Sequence, residues 1–380
     1  MIKYNISDFP VSGECFSVTY SLSGDEKEAL LKAEDICLEQ TVEFPPDLLP
    51  EKLRNTVAGK IKSFEKSAEG IFKTLIEFPV ETSAFEFTQF LNVLFGNISF
   101  KPGIQLESFE LPEGLLKFFR GPRFGIEGLR KVLSIPKRPL LCTTLKPMGL
   151  SSKNLYGLAY QFALGGIDII KDDHGLTNQP FSPFEERVKL CSKAVAKANK
   201  ETGLKSIYVP NITSPLREIE KRVNLAKEAG AGGLLISPSL TGFDTMKNLA
   251  EDDFISLPLL SHPAFQGSFV LSRSGISHYA LFGQIVRLAG ADVTIYPNFG
   301  GRFSSSREEC KNIILGCSVP MGHIKNIFPC PGGGMTFENI PDMFKFYGTD
   351  VIYLVGGGLF RHSDNLTENC RYFRNMVDNV

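Results

Sequence analysis

The chain has 380 residues, 43% of them hydrophobic and 22% charged, with a formal net charge of −1. This balance excludes the disordered, collagen-like and coiled-coil classes, and near-neutrality removes the basic footprint of a nucleic-acid binder. The length predicts two or three domains, or a barrel with a smaller partner; the 35 glycines follow no short repeat, Trp is absent and Phe reaches 31.

The opening Met1–Asp8 lacks the apolar stretch of a signal peptide. No run approaches the ~18 apolar residues of a membrane span, so no membrane partner is expected. Cys15, Cys37, Cys142, Cys191, Cys310, Cys317, Cys330 and Cys370 contain no C-x-x-C pair and predict reduced, mostly buried thiols in the cytoplasm. A strand-like run starts at Cys15, a charged helical stretch covers Asp25 to Glu39, and a second alternating segment covers Lys73–Phe78. The apolar segment Phe85 to Phe100 follows, and residues 1–125 together predict a small α+β domain. Glu107 to Pro136, rich in Gly and Pro, reads as the connector.

From Pro139 a short apolar run, a polar turn and an amphipathic helix recur eight times, which predicts a catalytic (β/α)8 barrel over 126–380. The strands are expected at Leu140–Lys146, Ile167–Asp173, Ser206–Ile212, Gly233–Pro238, Pro258–Pro263, Asp292–Pro297, Ile327–Pro331 and Val351–Val355. One of the helices between them is expected over Ser274–Leu288. Continuous apolar strands fit burial on both faces. An open doubly wound sheet is the structural competitor.

Barrel enzymes carry their chemistry at the C-terminal strand ends. Lys146, Lys171-Asp172-Asp173-His174, Asn211, Ser237, His262 and two glycine triplets stand there. Gly332, Gly333 and Gly334 end the seventh strand, and Gly356, Gly357 and Gly358 end the eighth. That is where barrel loops commonly hold phosphate, because glycine lets backbone N–H groups approach the oxygens. Tight turns without a ligand are the plainer alternative. On a strand Lys171 and Asp173 share a face. A salt bridge is the ordinary reading of that trio; a metal site is the other, and it requires a neutral lysine that has taken up CO2.

Thr144-Leu145-Lys146-Pro147, Gly165 through Asp173, and Asn178-Gln179-Pro180-Phe181, together with the glycine triplets, resemble the ribulose-bisphosphate carboxylase (Rubisco) large-chain superfamily, in the same motif order. The resemblance implies a ferredoxin-like α+β N-terminal domain before the barrel. It implies that Lys171 becomes a carbamate and that Asp173 holds Mg²⁺ or another divalent metal. It further implies that Lys146 moves protons during enolisation, with His262 beside the substrate. Glu39 and Asn97 match groups that reach the neighbouring subunit's site, which implies a homodimer or an assembly of dimers.

Several residues depart from the family pattern. His174 stands where the second metal carboxylate belongs, Pro263 where an arginine holds a second phosphate, and Tyr296 at the sixth-strand histidine. Met148 directly follows Lys146-Pro147, so the lysine expected there is absent, and Tyr296 through Arg302 replaces the loop that carries the CO2-orienting lysine. The losses fall on one phosphate and on CO2 handling. A Rubisco-like, non-carboxylating enzyme acting on a small phosphorylated substrate is therefore expected, first an isomerase of 5-methylthioribulose 1-phosphate type. The alternatives are a 2,3-diketo-5-methylthiopentyl 1-phosphate enolase, a decarboxylase of a 3-oxo-isoapionate 4-phosphate type of keto acid, and a non-enzymatic regulatory barrel. His278 and His323 read as structural, while His362, Arg302 and Arg361 are possible phosphate contacts.

Overall fold

A computed structural model describes residues 10–303 and 305–378. Met1–Asp8, read above as lacking a signal segment, lies outside the described residues. The chain divides into two compact units: one comprises residues up to Arg120 with Gln266–Ile285 and Pro320–Ile324, the other comprises Gly121–Phe265, Val286–Val319 and the chain from Lys325.

In the first unit, strands β1 (Cys15–Ser23), β2 (Lys60–Ala68), β3 (Ile71–Pro79) and β4 (Ile104–Glu110) form an antiparallel sheet in the order β4-β1-β3-β2. Helices Glu26–Glu39 and Phe87–Phe95 fall between β1 and β2 and between β3 and β4. This is the βαββαβ order expected of a ferredoxin-like domain. β1 alternates strictly between buried and half-buried residues, so one face packs inward. Its Phe16 lies against Phe78 and Phe90 at centroid distances of 5.5 and 5.3 Å. The first helix starts on a reciprocal cap between Asp25 and Glu28. β2 escapes a pattern-based reading because its residues are half-buried or exposed throughout. The expected connector conceals the last residues of β4 and helix Gly125–Leu133.

The stretch expected as one helix over Ser274–Leu288 is split. Strand β10 (Gly275–Ile276) adds in parallel to β4, and a π-helix covers Tyr279–Ile285. The Gln284 side chain of the π-helix accepts from the Phe109 N–H at 3.1 Å and donates to the Phe109 carbonyl at 2.7 Å, at the end of β4.

The second unit is a ring of eight parallel strands. These are β5 (Leu140–Leu145), β6 (Ile169–Asp172), β7 (Ile207–Val209), β8 (Leu234–Ile236), β9 (Leu259–Ser261), β11 (Val293–Pro297), β12 (Phe328–Gly332) and β13 (Ile352–Leu354). Each of the eight expected strands contains the central residues of one of these. β5 pairs with β13, and the ring closes between β7 and β8 through Asn211 and Leu235. The interior is filled by Leu140, Cys142, Ile169, Val209, Leu235, Leu260, Ile295, Phe328, Cys330 and Ile352, with Leu129 and Leu133 of helix Gly125–Leu133 in the same cluster. All eight cysteines are free thiols, and all but the half-buried Cys15 are buried. Among the described residues, no helix is long and apolar enough to cross a membrane.

Candidate active site

β6 sorts the Lys-Asp-Asp motif by the two-residue period of a strand. Ile169 points into the barrel cluster, so Lys171 does too, and Asp172 points the opposite way. Asp172 is fully buried and fully used. It accepts from Arg187 Nε at 3.1 Å, from the Tyr208 hydroxyl at 2.7 Å and from the Asn211 N–H at 3.0 Å. That network is structural. It locks β6, β7 and helix Phe184–Thr202 behind the site.

Lys171 is 2% exposed, and its Nζ donates to the Asp172 carbonyl at 3.1 Å. Burial lowers its pKa, against an opposing pull from Cys142 and Asp173. Burial therefore makes this amine easier to deprotonate than a free lysine, at the position where uptake of CO2 would require the neutral form.

Asp173 stands one step beyond β6 and gathers three donors. Lys146 Nζ, at the end of β5, lies 3.1 Å from its Oδ2, while His174 Nδ1 lies 3.2 Å and the Gly175 N–H 3.0 Å from its Oδ1. Burial would raise the Asp173 pKa, but the hydrogen bonds from His174 and Gly175 and the lysine charge outweigh it and hold the carboxyl well below the usual range. His262, past the end of β9, stacks on His174 with 4.7 Å between centroids and 7° between planes. Its Nδ1 accepts the Ala264 N–H at 3.1 Å, which leaves Nε2 as the protonated nitrogen. Burial, then the charge of Lys171, push its pKa well below that of free histidine.

The glycine loops stand at the neighbouring strand ends. Gly333 and Gly334 adopt φ of +90° and +71°, the left-handed region that only glycine enters freely. A Cβ added at Gly333, Gly356 or Gly357 would meet nothing within 4 Å. The backbone there faces open space, as close approach to an anion requires. Elsewhere, Tyr296 alternates with the inward Ile295 and turns away from the barrel interior, so the sixth-strand histidine position contributes no side chain to this face. His362 packs on Phe337 and Tyr372 at 4.5 and 4.8 Å, and Arg302 and Arg361 are exposed. His323 is tied to the Phe119 carbonyl at 2.8 Å, as a structural histidine would be. In the other unit, Asn97 Nδ2 donates to Glu39 at 3.1 Å, and Lys101 pairs with Asp35 beside them.

The matching family model is that of the ribulose bisphosphate carboxylase large chain, catalytic domain, over residues 125–378. The chain belongs to the Rubisco large-chain family. It is 34% identical to a 5-methylthioribulose-1-phosphate isomerase of Rhodospirillum rubrum, covering 93% of this chain and 94% of that one. It is 32% identical to a 2,3-diketo-5-methylthiopentyl-1-phosphate enolase of Bacillus pumilus, covering 95% and 92%. A solved Rubisco-like protein from Rhodopseudomonas palustris superposes with a TM-score of 0.88 at 34% identity, covering 96% of this chain and 98% of that one. Within that family this chain groups with the Rubisco-like proteins. Asn211 does more than stand among the strand-end polar groups. Its side chain holds the carbonyls of His174 and Leu176 at 2.8 and 3.0 Å, which fixes the loop that carries His174.

Proposed function

We propose that the chain is a non-carboxylating enzyme that moves a proton next to the carbonyl of a sugar monophosphate, as a cytoplasmic isomerase of 5-methylthioribulose 1-phosphate type. The observation that carries this reading is the convergence of Lys146, Asp173, His174 and His262 beside the buried Lys171 at one end of the barrel. The glycine loops of β12 and β13 at the same end leave open backbone that would receive the phosphate.

Among the described residues no three His, Cys, Asp or Glu side chains converge as a metal site, so the set would suit a divalent metal only with a carbamate on Lys171 as the third ligand. Lys171 can add to CO2, shedding one proton to leave an anionic carbamate, and would hold the ion with Asp173 and His174. Bound there, Mg²⁺ or a related ion would supply Lewis-acid stabilisation of the developing enolate oxygen. The chain's own residues do the rest. Once it has released its own extra proton to solvent, the neutral Lys146 Nζ takes the proton from the carbon beside the carbonyl and delivers it to the neighbouring carbon; its contact with Asp173 sets its direction. His262, neutral with its proton on Nε2, offers a donor without adding a cation. Pro263, where the family arginine is missing, leaves one phosphate to bind rather than two. In a homodimer, the hydrogen-bonded Asn97 and Glu39 would complete the partner's site.

The enolase relatives favour a second reading in which the same proton leaves a diketone and does not return to the neighbouring carbon. Incubation of each monophosphate with the protein in D2O, followed by NMR, separates the two. Deuterium exchange with a new ketose product supports isomerisation, and a stable enol from the diketone supports the enolase. Absence of exchange with both substrates, unchanged by Lys146→Ala, rejects both readings.

A further inference from the structure

The residues after β11 do not hang free over the barrel. Asn298 is fully buried although it lies at the start of a loop. Its N–H continues the ladder onto the Gly332 carbonyl at 3.0 Å, and its Oδ1 accepts the Tyr347 hydroxyl at 2.6 Å. Tyr347 ends helix Ile340–Tyr347. Phe299, next in line, packs against Phe346 at 4.9 Å and lies under the Arg307 guanidinium at 4.3 Å. The loop therefore runs from a fixed root directly onto the glycine triplet: a Cβ on Gly334 would fall 2.7 Å from the Gly301 Cα and 2.9 Å from the Gly300 carbonyl oxygen.

We propose that Asn298, held by Tyr347, is a positioning residue that presses Gly300-Gly301 against Gly333-Gly334 and so sets the shape of the phosphate cradle. The proposal rests on the phosphate reading above. The clamp acts through backbone contact, not through the reacting atoms. It predicts an effect on binding of the phosphorylated end and little effect on the proton-transfer step. Replacing the Tyr347 hydroxyl leaves the buried Asn298 carbonyl without its donor, and a buried polar atom left unpaired is destabilising enough to release the loop root.

The test uses the full-length protein with inorganic phosphate as probe, followed by calorimetry, alongside steady-state kinetics on the sugar monophosphate that it turns over. Tyr347→Phe and Asn298→Ala should each weaken phosphate binding and raise KM by about fivefold to tenfold, the effect of one buried hydrogen bond, with kcat within about twofold. The double variant should lose no more than either single one, since both break the same contact. Tyr353→Phe serves as the folding control, because its buried hydroxyl has no partner in the cluster, and it should bind as the parent does. Equal phosphate binding in the parent and in Tyr347→Phe, or additive losses in the double variant, would overturn the clamp. If Asn298→Ala fails to fold, the near-isosteric Tyr347→Phe decides alone. A parent protein that binds neither inorganic phosphate nor any sugar monophosphate rejects the cradle itself, a different failure from an intact cradle indifferent to Tyr347.

Discussion

His174 and His262 lie face to face, 4.7 Å apart and within 7° of parallel, where the first of them replaces a carboxylate of the family pattern. The stack fixes the His174 ring, and Asp173 takes its Nδ1. An imidazole offers a hard cation less charge and a softer donor than a carboxylate does. Reversing the exchange with His174→Glu should tighten Mg²⁺ binding by at least about tenfold, read by calorimetry in bicarbonate buffer. No change in affinity would show that position 174 is not a ligand.

Lys146 and Lys171 carry the proposed chemistry from opposite environments, one half-exposed at the mouth and one 2% exposed in the barrel wall. Lys146→Ala and Lys171→Ala should each lower kcat by about 10²–10⁴, the range for a lost acid–base or electrostatic group. Only Lys171→Ala should also abolish the effect of bicarbonate on activity.

Asp172 is adjacent to both ligand candidates yet belongs to the scaffold. Arg187 is fully buried against it, so Arg187→Met strands a carboxylate without its cation and should cost about 3–5 kcal/mol in urea unfolding. Loss of less than about 1 kcal/mol would mean that the Tyr208 and Asn211 contacts suffice.

Asp292 accepts the Phe124 and Gly125 N–H groups, both at 2.7 Å, and that of Leu259 at 2.9 Å. Burial nevertheless raises its pKa to about 6, above the usual 3.8. The folded state therefore holds this proton more tightly than the unfolded chain. The stability it brings is complete below pH about 4, falls as pH rises to about 6 and is flat beyond, a span on the order of 2–3 kcal/mol. Urea midpoints of the parent and Asp292→Asn across this window should differ in slope.

Gln266 is fully buried, and neither atom of its side-chain amide has a hydrogen-bond partner among the described residues. Gln266→Met should be neutral or raise the thermal midpoint, because an unpaired buried amide is unfavourable relative to an apolar side chain of similar length. A drop of several degrees would point to a water or ligand held by that amide.

The barrel was legible because each strand is a continuous apolar run between turn residues, a signal that survives without tertiary context. The strand-end residues were legible for the same reason: once the strands are placed, Lys146, Lys171, Asp173 and His262 follow by position. β2 and β10 were not. The first has no buried face to write into its sequence, and the second is two residues long and exists because β4 is there to receive it. The split of Lys171 from Asp172 followed from strand alternation, but the partners of Asp172 did not, since Arg187 and Tyr208 arrive from other elements. Motif order puts Tyr296 at the mouth, but the phase of β11, with Val293 and Ile295 inward, turns it outward.

Asn211 joins two duties in one residue. Its backbone bridges to Leu235 where the ring closes, beside hydrogen bonds from Ile212 N–H to the Leu235 carbonyl and from Leu235 N–H to the Pro210 carbonyl, both 2.9 Å. Its side chain holds the loop of His174. Any breathing of the barrel at that seam would carry the loop with it. Amide exchange at Ile212 and Leu235 would then report on the readiness of the active site as well as on the integrity of the sheet, and a ligand that quiets one should quiet the other.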